Sequence, residues 1–339
     1  MTIDLNTIWF LLVGALLAGY AVLDGFDLGV GILHLFVTRD EERRVFINAI
    51  GPVWDGNEVW LVTGGGALFA AFPAVYAGVF SGFYPAMILL LFALIFRAVA
   101  IEFRSKQPMA WWRRTWDVSF SAASFLGSFL MGVAFGNVIR GIPLDVHGEY
   151  LGGFTTLLNP YALLAGVTTV ALFAMHGSIY LVLKTDSAIQ AKVRAWVNTT
   201  IIVFVICYAT TTMATLVYLP HMGDHFKAHP WTFVLPVATM LAIANVPREI
   251  LHGRDWRAFL SSCAAVFGLM GLVGFGMYPN LVRGTDPATS LSVYSAASSD
   301  GTLTTMLIIV GIGMPLVLAY TISIYWIFRG KVKLDSMSY

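Results

Sequence analysis

The stretch Gly19-Tyr20-Ala21-Val22-Leu23-Asp24-Gly25-Phe26-Asp27-Leu28-Gly29-Val30-Gly31 decides the fold, because it puts two carboxylates inside a run, 7–36, otherwise apolar enough to cross a bilayer. A second run opens with Gly51-Pro52-Val53-Trp54-Asp55-Gly56-Asn57-Glu58-Val59-Trp60 and repeats the pattern with Asp55 and Glu58. Carboxylates in hydrocarbon are costly, so four of them this early in the chain point to proton or ion handling rather than to a plain anchor.

Of the 339 residues, 58% are hydrophobic and 12% charged, and the mean hydropathy is +0.77. Soluble domains carry about 25% charged residues, so a soluble enzyme is excluded and an all-α polytopic membrane protein is expected, forming a single integral membrane domain. At about 20 apolar residues per span, nine transmembrane helices are predicted, at 7–36, 50–74, 77–103, 115–138, 158–183, 195–219, 231–250, 256–279 and 303–328. Asp4 stands where a cleavable signal would be basic, so the first run reads as a retained span. Cys207 and Cys263 fall in apolar runs, where a thiol acts as a small hydrophobe, and no disulfide is expected. The net charge of +1 has no basic block behind it, so no nucleic-acid partner is expected.

The basic residues alternate by connection. One side collects Arg39, Arg43 and Arg44; Arg104, Lys106, Arg113 and Arg114; Lys184, Lys192 and Arg194; Arg248, Arg254 and Arg257; and Arg329, Lys331 and Lys333. The other side has Arg140, Lys227 and Arg283, and Arg97 lies within a span. The positive-inside rule then predicts an N-terminus outside and a C-terminus in the cytoplasm. With that topology Asp24, Asp27, Asp55, Glu58, Arg97 and Glu102 all fall in the cytoplasmic half of the membrane. Asp24/Asp27 and Asp55/Glu58 are i,i+3 pairs that each share a helix face. Arg97 and Glu102 are about 140° apart on their helix, so Arg97 is expected to reach the acids of the first or second span instead.

Each of these residues also has an ordinary reading. The aspartates can cap broken helices or pair with Arg97, and Glu102 can pair with Lys106 at i,i+4. Trp60 can be an interfacial aromatic. Gly25 and Gly29 form a small-xxx-small pattern that close helix packing explains. His34 and His176 lie within spans, where a lone histidine is more often a hydrogen-bonded packing residue than a ligand. His221, His225 and His229 recur every four residues, but Pro220, Gly223 and Pro230 argue against one regular helix carrying all three, and no metal site is expected.

Beyond the two quoted stretches, Gly64-Gly65-Gly66-Ala67-Leu68-Phe69-Ala70, Ser81-Gly82-Phe83-Tyr84, Phe96-Arg97, Arg104-Ser105-Lys106, Gly132-Val133-Ala134-Phe135-Gly136-Asn137 and Leu158-Asn159-Pro160-Tyr161-Ala162-Leu163-Leu164-Ala165-Gly166-Val167 are long and compositionally odd. Together they resemble subunit II of the cytochrome bd quinol oxidases over nearly the full length, most strongly up to about residue 170.

The resemblance implies a terminal oxidase of the bacterial cytoplasmic (inner) membrane that oxidises quinol, reduces dioxygen to water and takes its protons from the cytoplasm. It implies a haem-carrying subunit I that ligates two b haems and haem d, and a small single-helix accessory subunit as a further partner. This chain would ligate no haem, and a quinone or membrane lipid is a candidate occupant of it. The fold implied is two four-helix bundles, 1–138 and 158–279, plus a peripheral ninth helix, 303–328. Asp55 and Glu102 correspond to the family's proton path at the subunit interface; Glu58, a Gln in many relatives, extends that path or alters its coupling, with Asp24 and Asp27 beside it. Trp60 matches a residue at the mouth of a route for dioxygen. Two rival functions share these features: a proton-coupled transporter, and a catalytically silent assembly subunit.

Overall fold

The structure is a computed structural model that describes residues 4–334. Among the described residues the chain forms twelve α-helices: α1 (Leu5–Leu33), α2 (Asp40–Ile50), α3 (Trp54–Ala71), α4 (Pro73–Gly82), α5 (Tyr84–Phe103), α6 (Ala110–Arg140), α7 (Pro160–Lys184), α8 (Ser187–Tyr218), α9 (Asp224–Ala228), α10 (Val234–Leu251), α11 (Asp255–Met277) and α12 (Asp300–Ile327). Two short antiparallel strands, β1 (Asn280–Val282) and β2 (Leu291–Ser292), close one loop. Among the described residues, eight helical stretches are long and apolar enough to cross a membrane: those built on α1, α5, α6, α7, α8, α10, α11 and α12. The protein is therefore an integral membrane protein with an all-helical fold.

Eight of the nine predicted spans have a counterpart among these stretches, and three differences stand out. The run 50–74 begins with a turn at 51–53 and becomes α3, eighteen residues whose first two turns carry Asp55, Asn57 and Glu58; these polar groups keep it out of the eight. The run 77–103 is two helices, because Pro73 and Pro85 each sit in a first turn, where a missing N–H costs nothing, and the chain bends at Phe72 and Phe83. The segment read as a loop before residue 50 contains α2, which opens on Asp40, Glu41 and Glu42, favoured by the positive end of the helix dipole, and then buries Val45, Phe46, Ile47, Ala49 and Ile50.

Side-chain caps set other boundaries. Asp4 accepts from the Thr7 backbone N–H at 2.8 Å and starts α1, Asn159 accepts from Ala162 N–H at 3.0 Å and starts α7, and Ser299 accepts from Thr302 N–H and starts α12.

Helix α1 is the hub, packing against α3, α6, α7 and α11. Its N-terminal half contributes Trp9 and Val13 to a core shared with Phe72, Phe83, Val282, Val293 and Leu303. Its C-terminal half contributes Phe26, Val30 and Leu33 to a larger core with Phe46, Ile50, Ile179, Tyr180, Phe204 and Phe259. Between α1 and α7 the backbones almost touch. A Cβ on Gly29 would run into the Phe173 carbonyl, one on Gly177 would lie 2.7 Å from the Gly29 Cα, and one on Gly25 would lie 2.8 Å from the Phe173 ring. The small-residue pattern at Gly25 and Gly29 is thus a helix-packing device.

Gly29→Leu should accordingly lower the thermal midpoint of the assembled protein by an amount corresponding to at least about 1–3 kcal/mol of overpacking, because the neighbouring atoms are backbone and cannot yield. Gly14→Leu, where a Cβ meets nothing within 4 Å, is the control and should leave the midpoint unchanged. Equal melting of the two variants would remove the close approach as a stability determinant.

Candidate functional site

The acids of α1 are held by two other helices, α3 and α5, and α12 reaches them through α3. Asp24 and Arg97 of α5 are both fully buried and form a bidentate ion pair; one of its two hydrogen bonds runs from Nη1 to Oδ2 at 2.7 Å. A fork-to-fork pair satisfies both carboxylate oxygens and fixes the guanidinium plane, the geometry in which a buried ion pair best offsets its desolvation. Asp27, one turn along, is also fully buried, and its Oδ2 accepts from Nδ2 of Asn57 at 2.7 Å. The same amide nitrogen donates to the Leu23 carbonyl at 3.2 Å, and its oxygen accepts from the Tyr325 hydroxyl of α12 at 2.9 Å. Glu58 is half-buried within electrostatic reach of Arg97, Asp24 and Asp55.

The structure therefore joins Asp24, Asp27, Glu58 and Arg97 in one cluster, with Arg97 meeting helix 1 as the sequence predicted. Three buried polar atoms there have no partner among the described residues: Oδ1 of Asp27, Nε of Arg97 and the hydroxyl of Tyr20.

Asp55 is different, because it is exposed on α3. Asp55, Val59, Val62, Gly66 and Phe69 follow one another at intervals of four and three and form an exposed stripe, with Val62 72% and Phe69 58% exposed. That spacing is the seam along which one helix packs against another. Helix α5 presents a similar exposed row through Leu89, Phe92, Phe96 and Phe103. Glu102 is half-buried at the end of α5, about one and a half turns beyond Arg97. Trp60 turns to the other side of α3 and covers Gly19, where a Cβ would strike its ring. It lines an apolar cavity of about 530 Å³ bounded also by Trp9, Leu16, Phe267, Met306 and Met314.

The sequence missed a second charged centre. Asp117 of α6 is 1% exposed and accepts from His34 Nε2 at 2.6 Å, Arg43 Nη1 at 2.7 Å and Arg104 Nε at 2.5 Å. Arg104 continues to Asp40 at 2.7 Å, and Arg113 meets the same carboxylate at 3.1 Å. The sixfold set of charges placed in the cytoplasmic half thus omits a residue: Asp117 lies inside α6 and is as buried as Asp24. The predicted span 115–138 contains Asp117 close to its start, near Arg113 and Arg114, but from sequence Asp117 is not grouped with the other intramembrane charges. Asn57 and Tyr325 carry no charge and gave no signal of their own.

The two histidines within the spans are held by hydrogen bonds. His176 uses Nδ1 with Ser262 Oγ at 2.8 Å and Nε2 with the Val22 carbonyl at 2.9 Å, and it stacks on Phe259. His34 spends Nε2 on Asp117 and leaves a buried Nδ1 without a partner among the described residues, and neither ring lines the cavity. His221 and His225 fall on a 3-10 turn and on the short α9, with Nε2 of each directed at the carbonyls of Ile139 and Tyr278. Among the described residues, no group of three metal-binding side chains converges.

Two outcomes follow from the buried charges. Arg97→Met leaves Asp24 unpaired in hydrocarbon and should cost about 3–5 kcal/mol, seen as lost assembly and a lower melting temperature, whereas Arg97→Met with Asp24→Asn should recover part of the loss. No recovery in the double variant would show that the pair is more than a mutual neutralisation.

Glu42 of α2, outside the spans, gives a pH dependence. Burial pushes its carboxyl up, but hydrogen bonds from Lys192 and Arg39 outweigh this and hold it below its ordinary 4.5. A carboxyl lowered on folding contributes stability above the unfolded value and loses it as pH falls through the folded one. Glu42→Gln should lower the melting temperature at neutral pH and flatten its decline between about pH 6 and about pH 3, in a thermal scan against pH.

The family model described as cytochrome bd terminal oxidase subunit II matches residues 5–328. The chain is 37% identical to the cytochrome bd-I ubiquinol oxidase subunit 2 of Escherichia coli over 98% of this chain and 96% of that one. It is 34% identical to the cytochrome bd ubiquinol oxidase subunit 2 of Bacillus subtilis, with 97% of each chain covered. Its fold is similar to a chain in the structure of bd oxidase from Geobacillus thermodenitrificans, with a TM-score of 0.76, 17% identity, and 96% of this chain and 98% of that chain covered.

Proposed function

The chain belongs to the cytochrome bd terminal oxidase subunit II family, and from that premise we propose that it supplies a cytoplasmic proton path along its contact with a haem-carrying subunit I. It is a subunit of an oxidoreductase complex in a bacterial membrane. In the proposed reading that membrane is the inner one, and the complex oxidises quinol and reduces dioxygen to water. The two b haems and haem d are held by subunit I, which is the part that carries electrons. A small single-helix subunit completes the assembly.

The observation that carries this reading is the exposure of Asp55. A carboxylate facing lipid is costly, and Asp55 heads an otherwise apolar stripe at helix-packing intervals, so the stripe is covered by protein rather than by lipid. Subunit I is the partner that covers it. Asp55, at the start of α3, then receives protons at the cytoplasmic edge of that seam, and Glu58, one turn deeper, passes them on. Glu102 stands at the same edge on α5. Asp27, with one oxygen unpartnered, is the inner carrier. Asp24, held at both oxygens by Arg97, fixes the geometry of the cluster.

The same reading makes α3 the ninth span. Its eighteen residues reach about 27 Å at about 1.5 Å per residue, close to the hydrocarbon thickness of about 30 Å. Helices within 1–138 and 158–279 make the two bundles, α12 is peripheral, and the positive-inside bias puts the C-terminus in the cytoplasm. The cavity beside Trp60 suits an apolar occupant: a lipid chain, a quinone tail, or dioxygen in transit.

Asp55→Asn tests the path. The amide keeps the shape and cannot carry a proton, so the complex should assemble with full haem content while steady-state quinol oxidation falls about tenfold or more, in the range expected for loss of a proton-transfer group. Unchanged turnover at neutral and alkaline pH would leave Asp55 a structural residue and favour the silent assembly subunit.

A further inference from the structure

Helix α12 lies against the rest of the protein by its ends. Of its residues only Leu303 is fully buried; the Leu303 carbonyl accepts from Trp9 Nε1 at 3.0 Å near one end, and near the other the Tyr325 hydroxyl donates to Asn57 Oδ1 at 2.9 Å. The second tie is chemically odd for an anchor, because it ends on the side chain that, among the described residues, donates to Asp27.

Both N–H groups of the Asn57 amide are committed, and its oxygen accepts one hydrogen bond. It has a single oxygen, which Tyr325 occupies, and two N–H groups, which go to Asp27 Oδ2 and the Leu23 carbonyl. Asn57 is 2% exposed, so without the hydroxyl its oxygen would be a buried acceptor with nothing to accept from. One relief is a turn of the amide toward Asp27, which a protonated carboxyl satisfies by donating and a carboxylate does not. The hydroxyl on α12 therefore keeps the N–H face on Asp27.

We propose that Tyr325 is a positioning residue for proton transfer: by occupying the Asn57 oxygen it makes the amide pin Oδ2 of Asp27 and leaves Oδ1 as the exchanging oxygen. The inference rests on the relay reading above, and it gives the peripheral helix a part in the reaction. The groups facing Asp27 are Asp24 on α1, Glu58 on α3, Arg97 on α5, Tyr180 on α7 and Tyr325 itself, with Tyr20 of α1 beside Asp24 and Cys263 of α11 beside Tyr325. Arg97 is committed to Asp24, so Asn57 is the hydrogen-bond donor that sets which oxygen of Asp27 is free.

The test uses the whole complex in nanodiscs with four variants: Tyr325→Phe, Asp27→Asn, the two combined, and Tyr320→Phe on the exposed side of the same helix as control. Tyr325→Phe should keep haem content and the KM for quinol, lower kcat about threefold to tenfold at neutral pH, and move the alkaline limb of the turnover profile up by about one pH unit, the scale of one hydrogen bond lost through the amide. Combined with Asp27→Asn it should add nothing, and Tyr320→Phe should match the wild type. A Tyr325→Phe profile superimposable on the wild type, with Asp27→Asn slow, overturns the role of Tyr325 and leaves the relay standing. Full turnover in Asp27→Asn overturns both. Loss of assembly in Tyr325→Phe overturns positioning in favour of a plain anchor.

Discussion

The fully buried pair of Asp24 and Arg97 is the interaction on which the inner half of the protein is arranged. Neither charge is tolerable alone in hydrocarbon, so α5 must bring its guanidinium to the depth of Asp24 on α1, and the two helices are fixed in rotation as well as in height. Once they are fixed, Asp27 is presented one turn further along, toward α3. The opening of α3 must then be polar there, and Asn57 meets the carboxylate with an N–H. What reads in the sequence as an ill-suited span is a helix whose first turns are matched to a neighbour's acids.

The Asp117 centre serves the same logic nearer to the helix ends. One carboxylate gathers His34 from the end of α1, Arg43 from α2 and Arg104 from the end of α5, and Arg104 links on to Asp40. Hydrogen bonds to each oxygen replace the water that burial removes, so a cluster of charges is stable where any one of them would be expensive. The result is a clamp that keeps α1, α5 and α6 in register around the acid cluster. Helix α2 lies across it and brings Glu42 to Lys192, which ties α2 to α8.

The outer surfaces divide by what they ask to have next to them. Helix α12 exposes Ile308, Ile312, Leu316 and Ile322, which suit lipid tails without further partners. Helix α3 exposes a similar row but heads it with Asp55, which lipid cannot satisfy. The cavity behind Trp60 lies between these two helices because α12 is tied at Leu303 and Tyr325 and stands off in between, around Met306 and Met314. A surface that carries a buried-type acid and a cavity walled by a loosely held helix both fit a chain that works inside an assembly.

Composition and run length determined by themselves that this is a polytopic helical membrane protein, because about 20 consecutive apolar residues have few other soluble solutions. The charges inside those runs also singled out Asp24, Asp27, Asp55, Glu58 and Arg97, since an acid in an apolar helix is visible without any neighbour, and the rotation from Arg97 to Glu102 was enough to send Arg97 across to another helix. Tertiary structure alone decided the rest. Which acid Arg97 chose, and that Asp55 faces outward while Asp27 is sealed, depend on helix rotation, which no local pattern encodes. Asp117 escaped notice because an acid near basic residues at a helix start is cheap in water, and only the arrival of His34, Arg43 and Arg104 from three other segments makes it a buried centre. Asn57 and Tyr325 are neutral, so their meeting across 268 positions of sequence leaves no trace in charge or hydropathy and exists only because α12 folds back onto α3.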